Sequence, residues 1–211
     1  MKIFNYEVNP FSENTYLLVK NGKALLFDPG FYTSTEMNIF LQTLQQEKAD
    51  LVGILLTHAH LDHIFGLEMV KSRFNVPVYL HPEDMYFWDN YVKKAEMFGF
   101  KVKPFEFRPE PILANPDLHL HGFHFDVRFT PGHAPGHLAY HIEEIKTVIS
   151  GDALFYESIG RTDLYQGDFS VLETSIRNEL YTLPNETVVM PGHGPSTTIG
   201  HEMKHNPFVK A

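Results

Sequence analysis

Apolar and polar positions along this chain mark out strands first. KIFNYEV (Lys2–Val8), NTYLLVK (Asn14–Lys20) and KALLFDPG (Lys23–Gly30) carry aromatic, leucine and β-branched side chains in runs of strand length. Asn21-Gly22 separates the second run from the third, and such a pair between apolar runs predicts a hairpin. The period then changes. Met37, Phe40, Leu41 and Leu44 recur every three or four residues, predicting a helix capped by Ser34 or Thr35 and running to about Lys48. LVGILLT (Leu51–Thr57) is a continuous apolar strand, Ile64–Phe74 has helical spacing, and VPVYL (Val76–Leu80) returns to strand.

Pro82–Phe100 reads as helical and aromatic, with Tyr86, Phe87, Trp88, Tyr91, Phe98 and Phe100. Pro104, Pro109, Pro111 and Pro116 then punctuate the chain. Residues 82–116 are therefore expected to be a helical aromatic insertion in a single domain spanning 1–211, acting either as a lid or as ordinary core packing. HFDVRFT (His124–Thr130), LAYHIE (Leu138–Glu143) and KTVISGD (Lys146–Asp152) read as strands. A helix from about Ser170 to Tyr181, the strand TVVMPGH (Thr187–His193) and a last helical stretch complete the pattern. Strand-rich halves, each with helices, predict two sheets packed face to face with helices outside.

The apolar strands stop at chemistry. LVGILLT runs into His58, His60, Asp62 and His63; DVRFTPG into His133; KTVISG into Asp152; ETVVMPG into His193. Strand ends are where a rigid sheet presents groups from distant parts of a sequence. In extended chain, residues two apart point the same way, so His58 and His60 can hold one ion. Asp62 and His63 diverge as a helix begins and can reach another. Zinc-like dications take about four nitrogen and oxygen ligands. The expected centre thus has His58, His60 and His133 on one ion, Asp62, His63 and His193 on a second, and Asp152 bridging. PGH recurs at His133 and His193, giving tight turns around both.

Composition narrows the partners. Thirteen histidines in 211 residues favour a metal, and the absence of cysteine removes disulfides, thiolate ligands and cysteine nucleophiles together. A net charge of −9 without a Lys/Arg run argues against nucleic acid. No apolar window approaches a membrane span, and MKIFNYEVNP carries no signal-like run, so a cytoplasmic protein is expected. Nothing in the pattern specifies an oligomeric state.

THAHLDH (Thr57–His63) with His133, Asp152 and His193 resembles the metallo-β-lactamase superfamily. LFDPG (Leu26–Gly30), TPGHAPGH (Thr130–His137) and SGDALF (Ser150–Phe155) are similar to its other motifs. GRTDL (Gly160–Leu164) and PGHGPSTTIGHE (Pro191–Glu202) look like its single-domain glyoxalase II-like branch. The resemblance implies an α+β fold, the αββα four-layer sandwich (metallo-β-lactamase fold). It also implies two divalent ions (zinc, or iron or manganese) and a small-molecule thioester substrate linked to glutathione, such as S-lactoylglutathione. The implied hydrolysis proceeds by attack of a metal-bridging hydroxide on the acyl carbon, with Asp152 setting the metal spacing and Asp62 orienting the water. The alternatives are a persulfide dioxygenase with one iron, a lactonase, β-lactamase or other ester hydrolase of the superfamily, and a non-enzymatic metal-binding or redox partner module. Around the ligands, Asp28 is either a carboxylate bonding a ligand or the motif loop, or a turn residue before Pro29-Gly30. Arg161 is either an anion contact for substrate or the partner of Asp163 or Asp168. His137 supports a ligand or is a satisfied buried histidine. His81 is read as loop or rim.

Overall fold

In a computed structural model describing residues 1–211, strands β1 (Lys2–Val8), β2 (Glu13–Lys20) and β3 (Lys23–Phe27) form an antiparallel meander. Asn21 and Gly22 turn the β2–β3 hairpin with φ of 52° and 75°, the left-handed pair that a two-residue hairpin loop requires. β3 is followed by α1 (Ser34–Glu47) and by β4 (Asp50–Leu55), which pairs with β3 in parallel. β5 (Val78–Leu80) and β6 (Glu110–Pro111) extend the sheet, giving the order β1-β2-β3-β4-β5-β6. β2 and β3 are buried along nearly their whole length, which is why their sequences run apolar instead of alternating.

Helix α1 begins one residue before the range predicted for it. Thr33 is the cap, accepting from the Glu36 backbone N–H while the Glu36 side chain returns to the Thr33 N–H, a capping box worth about 1 kcal/mol. Met37, Phe40 and Leu44 form its buried stripe, and Phe40 packs with Phe31, Tyr6 and Phe74. The helix predicted over Ile64–Phe74 is instead two short pieces, α2 (Leu61–Ile64) and α3 (Leu67–Lys71). Gly66 separates them because its backbone presses on Pro29 and Phe31, with its N–H bonded to the Pro29 carbonyl at 2.7 Å. A 3-10 turn (Pro82–Asp84), α4 (Met85–Asp89) and α5 (Tyr91–Met97) come after β5. Phe87, Trp88 and Tyr91 of this stretch are buried, with Tyr91 stacked on Phe105, whereas Tyr86 and Phe98 are exposed. These elements belong to the first of two units, Met1–Ile112.

The second unit, Leu113–Ala211, carries another six-stranded sheet. Its strands are β7 (Asn115–Leu120), β8 (Phe123–Phe129), β9 (Leu138–Ile142), β10 (Thr147–Gly151), β13 (Val188–Pro191) and β14 (Thr197–Thr198), with β11 (Leu154–Phe155) and β12 (Ser158–Ile159) as a separate small hairpin. The sheet order is β14-β13-β10-β9-β8-β7. β7 is not evident from the pattern, because NPDLHL contains a proline and is mostly polar. It is tolerated there because β7 is the sheet's edge strand. Helices α6 (Phe169–Ser175), continued by a π-helical turn (Ile176–Leu180), and α7 (Ile199–His205) cover this unit's core of Val148, Leu154, Leu172, Ile176, Leu180, Val189 and Ile199.

Candidate metal centre

Strand register delivers the donors. In the first unit, Phe27 of β3 is level with Leu55 of β4, so the two parallel strands end side by side. Asp28 therefore meets Thr57 and the loop beyond it. Asp28 Oδ1 accepts from the Thr57 N–H (2.7 Å), and Asp28 Oδ2 accepts from the Thr57 hydroxyl (2.6 Å). Oδ2 also lies 3.1 Å from His63 Nδ1. Thr57 has given its one proton to Asp28, so the 3.0 Å contact to His58 Nδ1 is donated by the imidazole. Asp28 thus fixes two tautomers, His58 through Thr57 and His63 directly. In each ring Nδ1 carries the proton and Nε2 keeps its lone pair, the form a metal ligand needs. Asp28 sits at φ 46°, a left-handed conformation that aspartate tolerates better than most residues.

The rings crowd together. His58 and His60 are perpendicular with centroids 4.7 Å apart, and His58 and His63 are 4.1 Å apart. One donor atom from each of Asp28, His58 and His63 falls within 4.8 Å of the others. His60 caps α2 in extended conformation, with the edge of Phe87 against its ring. Asp62 sits in the first turn of α2, its Oδ2 3.8 Å from His63 Nε2.

Three polar residues that sequence reasoning did not single out hold this loop. Asp84, fully buried, accepts from the Ala59 N–H at 2.8 Å. Asn9 donates to the carbonyls of Gly30 and Asp62, both at 3.0 Å. Glu13 is buried at the start of β2, where burial pushes its carboxyl well above the usual range, with His63 opposing that shift and Asp28 adding to it. Thr15 Oγ1 lies 2.7 Å from the Asp28 carbonyl and 2.9 Å from Glu13 Oε2, yet has one proton to give. The neutral form of Glu13, favoured by its burial, supplies the second. Nothing in HPED, VNP or ENTYLL distinguishes these residues from caps and strand ends. His81 accepts from the Glu83 N–H at 3.3 Å and caps the 3-10 turn.

The second unit repeats the device. β10 is parallel to β13 and antiparallel to β9, so the ends after Gly151, after Pro191 and before Leu138 share one edge. Asp152, His193 and the Thr130–His137 loop all emerge there. Asp152 Oδ2 lies 3.5 Å from His133 Nε2 and 3.6 Å from His193 Nε2. His133 donates Nδ1–H to the Arg161 carbonyl at 2.8 Å, leaving Nε2 as the donor atom. His137 is fully buried: its Nε2 accepts from the Asp152 N–H (3.0 Å), so its Nδ1–H donates to Thr130 Oγ1 (2.8 Å). It supports the Asp152 backbone. The Arg161 guanidinium makes two 2.7 Å bonds to Asp163, which hold the Asp163 carboxyl down to about 2, so the site contact of Arg161 is its carbonyl.

Residues 8–193 match the model of the metallo-β-lactamase superfamily, and the chain belongs to that superfamily. It has the α+β metallo-β-lactamase fold, the αββα sandwich, and is a metal-dependent hydrolase. It is 34% identical to the hydroxyacylglutathione hydrolase GloC of Haemophilus influenzae, over 100% of this chain and 99% of that one. Among solved structures it is similar to BLEG-1, described as a B3 metallo-β-lactamase, at 36% identity and TM-score 0.87 with both chains fully covered. It is equally similar to TTHA1623 in a di-iron-bound form, at 37% identity and TM-score 0.87 over 98% of this chain and 100% of that one. No helix is long and apolar enough to cross a membrane.

Proposed function

We propose that this hydrolase cleaves thioesters, with a glutathione-linked acyl group such as S-lactoylglutathione as its substrate class, at a centre for two divalent ions. His58, His60 and His133 are the proposed donors to one ion, and Asp62, His63 and His193 the proposed donors to the other. The observation that carries the two-ion reading is the carboxylate of Asp152, whose Oδ2 is nearly equidistant from the Nε2 atoms of His133 and His193. A carboxylate oxygen shared by two imidazoles, one of which (His133) carries its proton on Nδ1 through the Arg161 carbonyl, suits a group that would serve two ions better than one. The likeness to TTHA1623 in its di-iron-bound form supports two ions, and the likeness to GloC supports the thioester.

Bound there, two dications supply Lewis acidity and bring the pKa of a coordinated water toward neutrality. The chain's residues do the rest. Asp152 holds the spacing, and Asp62, with a carboxylate oxygen facing His63 Nε2, orients the attacking water. Asp28, Asp84 and the Arg161 carbonyl keep the imidazoles aimed, so little reorganisation is needed on binding.

Metal analysis and a thioester assay on one preparation test the proposal. The expected result is close to two zinc, iron or manganese ions per chain with hydrolysis of S-lactoylglutathione, lost in Asp62→Ala. The likeness to BLEG-1 favours a second reading, β-lactam hydrolysis, assayed on the same sample. Two ions with β-lactam or lactone turnover and no thioester cleavage would reassign the substrate. One iron with oxygen uptake on glutathione persulfide would replace hydrolysis by the dioxygenase reaction. Bound ions with no turnover of any of these would leave a metal-binding module.

A further inference from the structure

Away from these donors, three metal-binding side chains converge on the outer face of the β7–β8 hairpin. His119 and His124 are direct cross-strand partners, a relation that holds Cβ atoms about 4.5–5.5 Å apart. Their imidazoles stack with centroids 4.6 Å apart and planes 12° from parallel. Asp117 lies two residues before His119, within the register shift between Asn115 and Leu118, and its carboxylate reaches the face of both imidazoles. Its Oδ1 is 3.1 Å from His119 Nε2 and 2.9 Å from His124 Nε2, and the three donor atoms all lie within 4.8 Å of one another. The platform is defined. His121 and Gly122 close a two-residue turn at φ 53° and 95°, and Phe123 and Phe125 on the opposite face are buried, which pins the register.

We propose that Asp117, His119 and His124 form a separate surface site for a borderline divalent ion of the zinc, nickel or copper(II) class. Two imidazole nitrogens and one carboxylate oxygen are the donors such ions select. Both Nε2 atoms point at the same carboxylate oxygen, so one cation takes the place of two protons at a single point. Bonds of about 2.0–2.2 Å require neighbouring donors about 3.3 Å apart. The two nitrogen–oxygen separations already stand within a few tenths of an ångström of that. All three side chains are exposed, so small ring rotations meet no packing, and water completes the shell.

The test is a calorimetric titration of Zn²⁺ into the protein as purified. The wild type is expected to take up one more equivalent than the double variant His119→Ala/His124→Ala, or to bind that equivalent at least tenfold more tightly. Untagged wild type should also be retained longer than the double variant on an immobilised Ni²⁺ column. Asp117→Asn should weaken the same equivalent, and His121→Asn, which tolerates the left-handed turn, should leave it intact. A double variant that matches the wild type in stoichiometry and affinity overturns the site. So does loss of the equivalent in His121→Asn.

Discussion

Asp28→Asn isolates the carboxylate that orients two histidines. Asparagine tolerates the φ of 46° at this position, so the substitution adds no backbone strain and tests the side chain alone. The Thr57 N–H at 2.7 Å needs an acceptor, so the amide oxygen must occupy the Oδ1 position. The amide nitrogen then falls at the Oδ2 position, facing the Thr57 hydroxyl (2.6 Å) and His63 Nδ1 (3.1 Å). It can only donate. His63 must then accept at Nδ1 and carry its proton on Nε2. Thr57 now accepts from the amide and turns its own proton toward His58 Nδ1, moving the His58 proton to Nε2 as well. Both rings lose the lone pair an ion requires.

Buried hydrogen bonds to a charged group are worth about 1.5–3 kcal/mol each. Two are reversed and one weakened, and coupled losses do not sum, so metal-free Asp28→Asn should be about 2–4 kcal/mol less stable to urea. Replacing a group that orients metal ligands typically lowers metal affinity by about 10–100-fold. Competition with a chromophoric zinc chelator reads that loss separately from stability. A folded Asp28→Asn protein that holds zinc as tightly as the wild type would refute the tautomer argument.

Asp84→Ala leaves the buried Ala59 N–H without its carboxylate acceptor; a loss of about 1–3 kcal/mol in urea unfolding is expected, with faster amide exchange across Thr57–His63. Gly160→Ala places a Cβ 1.9 Å from the Asp152 carbonyl and 2.9 Å from His133 Nδ1. It should cost about 1–3 kcal/mol and lower the metal bound per chain, measured by thermal unfolding and elemental analysis. Burial works against ionisation of Asp126, but hydrogen bonds from His141 and Arg128 outweigh it and hold the carboxyl below 3.8. A depressed folded-state value means stability that is full above the unfolded value and lost as pH falls through the folded one. Asp126→Asn should therefore melt lower than wild type at pH 7, with the difference closing as pH falls below the ordinary aspartate range. An equal difference at pH 7 and below that range would count against the ion pair.

The residues that announce themselves in the sequence are those whose chemistry has no cheap structural reason to sit after a buried strand. THAHLDH, His133, Asp152 and His193 stand out for that reason. Asn21-Gly22 and the apolar stripe of α1 are equally plain, because turn chemistry and a 3.6-residue period are local. What stays hidden is non-local. Asp84 looks like a turn residue until Ala59 is placed against it. Glu13 opens an ordinary strand, and only the fold buries it beside His63 and Asp28. The break at Gly66 depends on Pro29 and Phe31, thirty-seven and thirty-five positions earlier. Arg161 draws attention through its guanidinium, whereas its backbone carbonyl makes the contact with His133.

The same register logic builds the donors in each unit. A parallel pair ends level, and the first residue after one strand meets the second residue after its neighbour: Asp28 meets Thr57 beside β3 and β4, and Asp152 meets His193 beside β10 and β13. Both pairings contain an irregularity, between Ala24 and Leu25 in β3 and between Ile149 and Gly151 in β10. In β10 the extra residue is Ser150, whose hydroxyl donates to the Leu154 carbonyl at 2.8 Å and anchors the turn that carries Asp152. Without that residue β10 would end about 3.3 Å short of its present level and its side chains would exchange faces. In the proposed centre Asp152 would have about 0.2 Å of latitude as a ligand. The bulge, an irregularity in the ladder, therefore sets the reach of Asp152, and the motif residues acquire their geometry from where the strands stop.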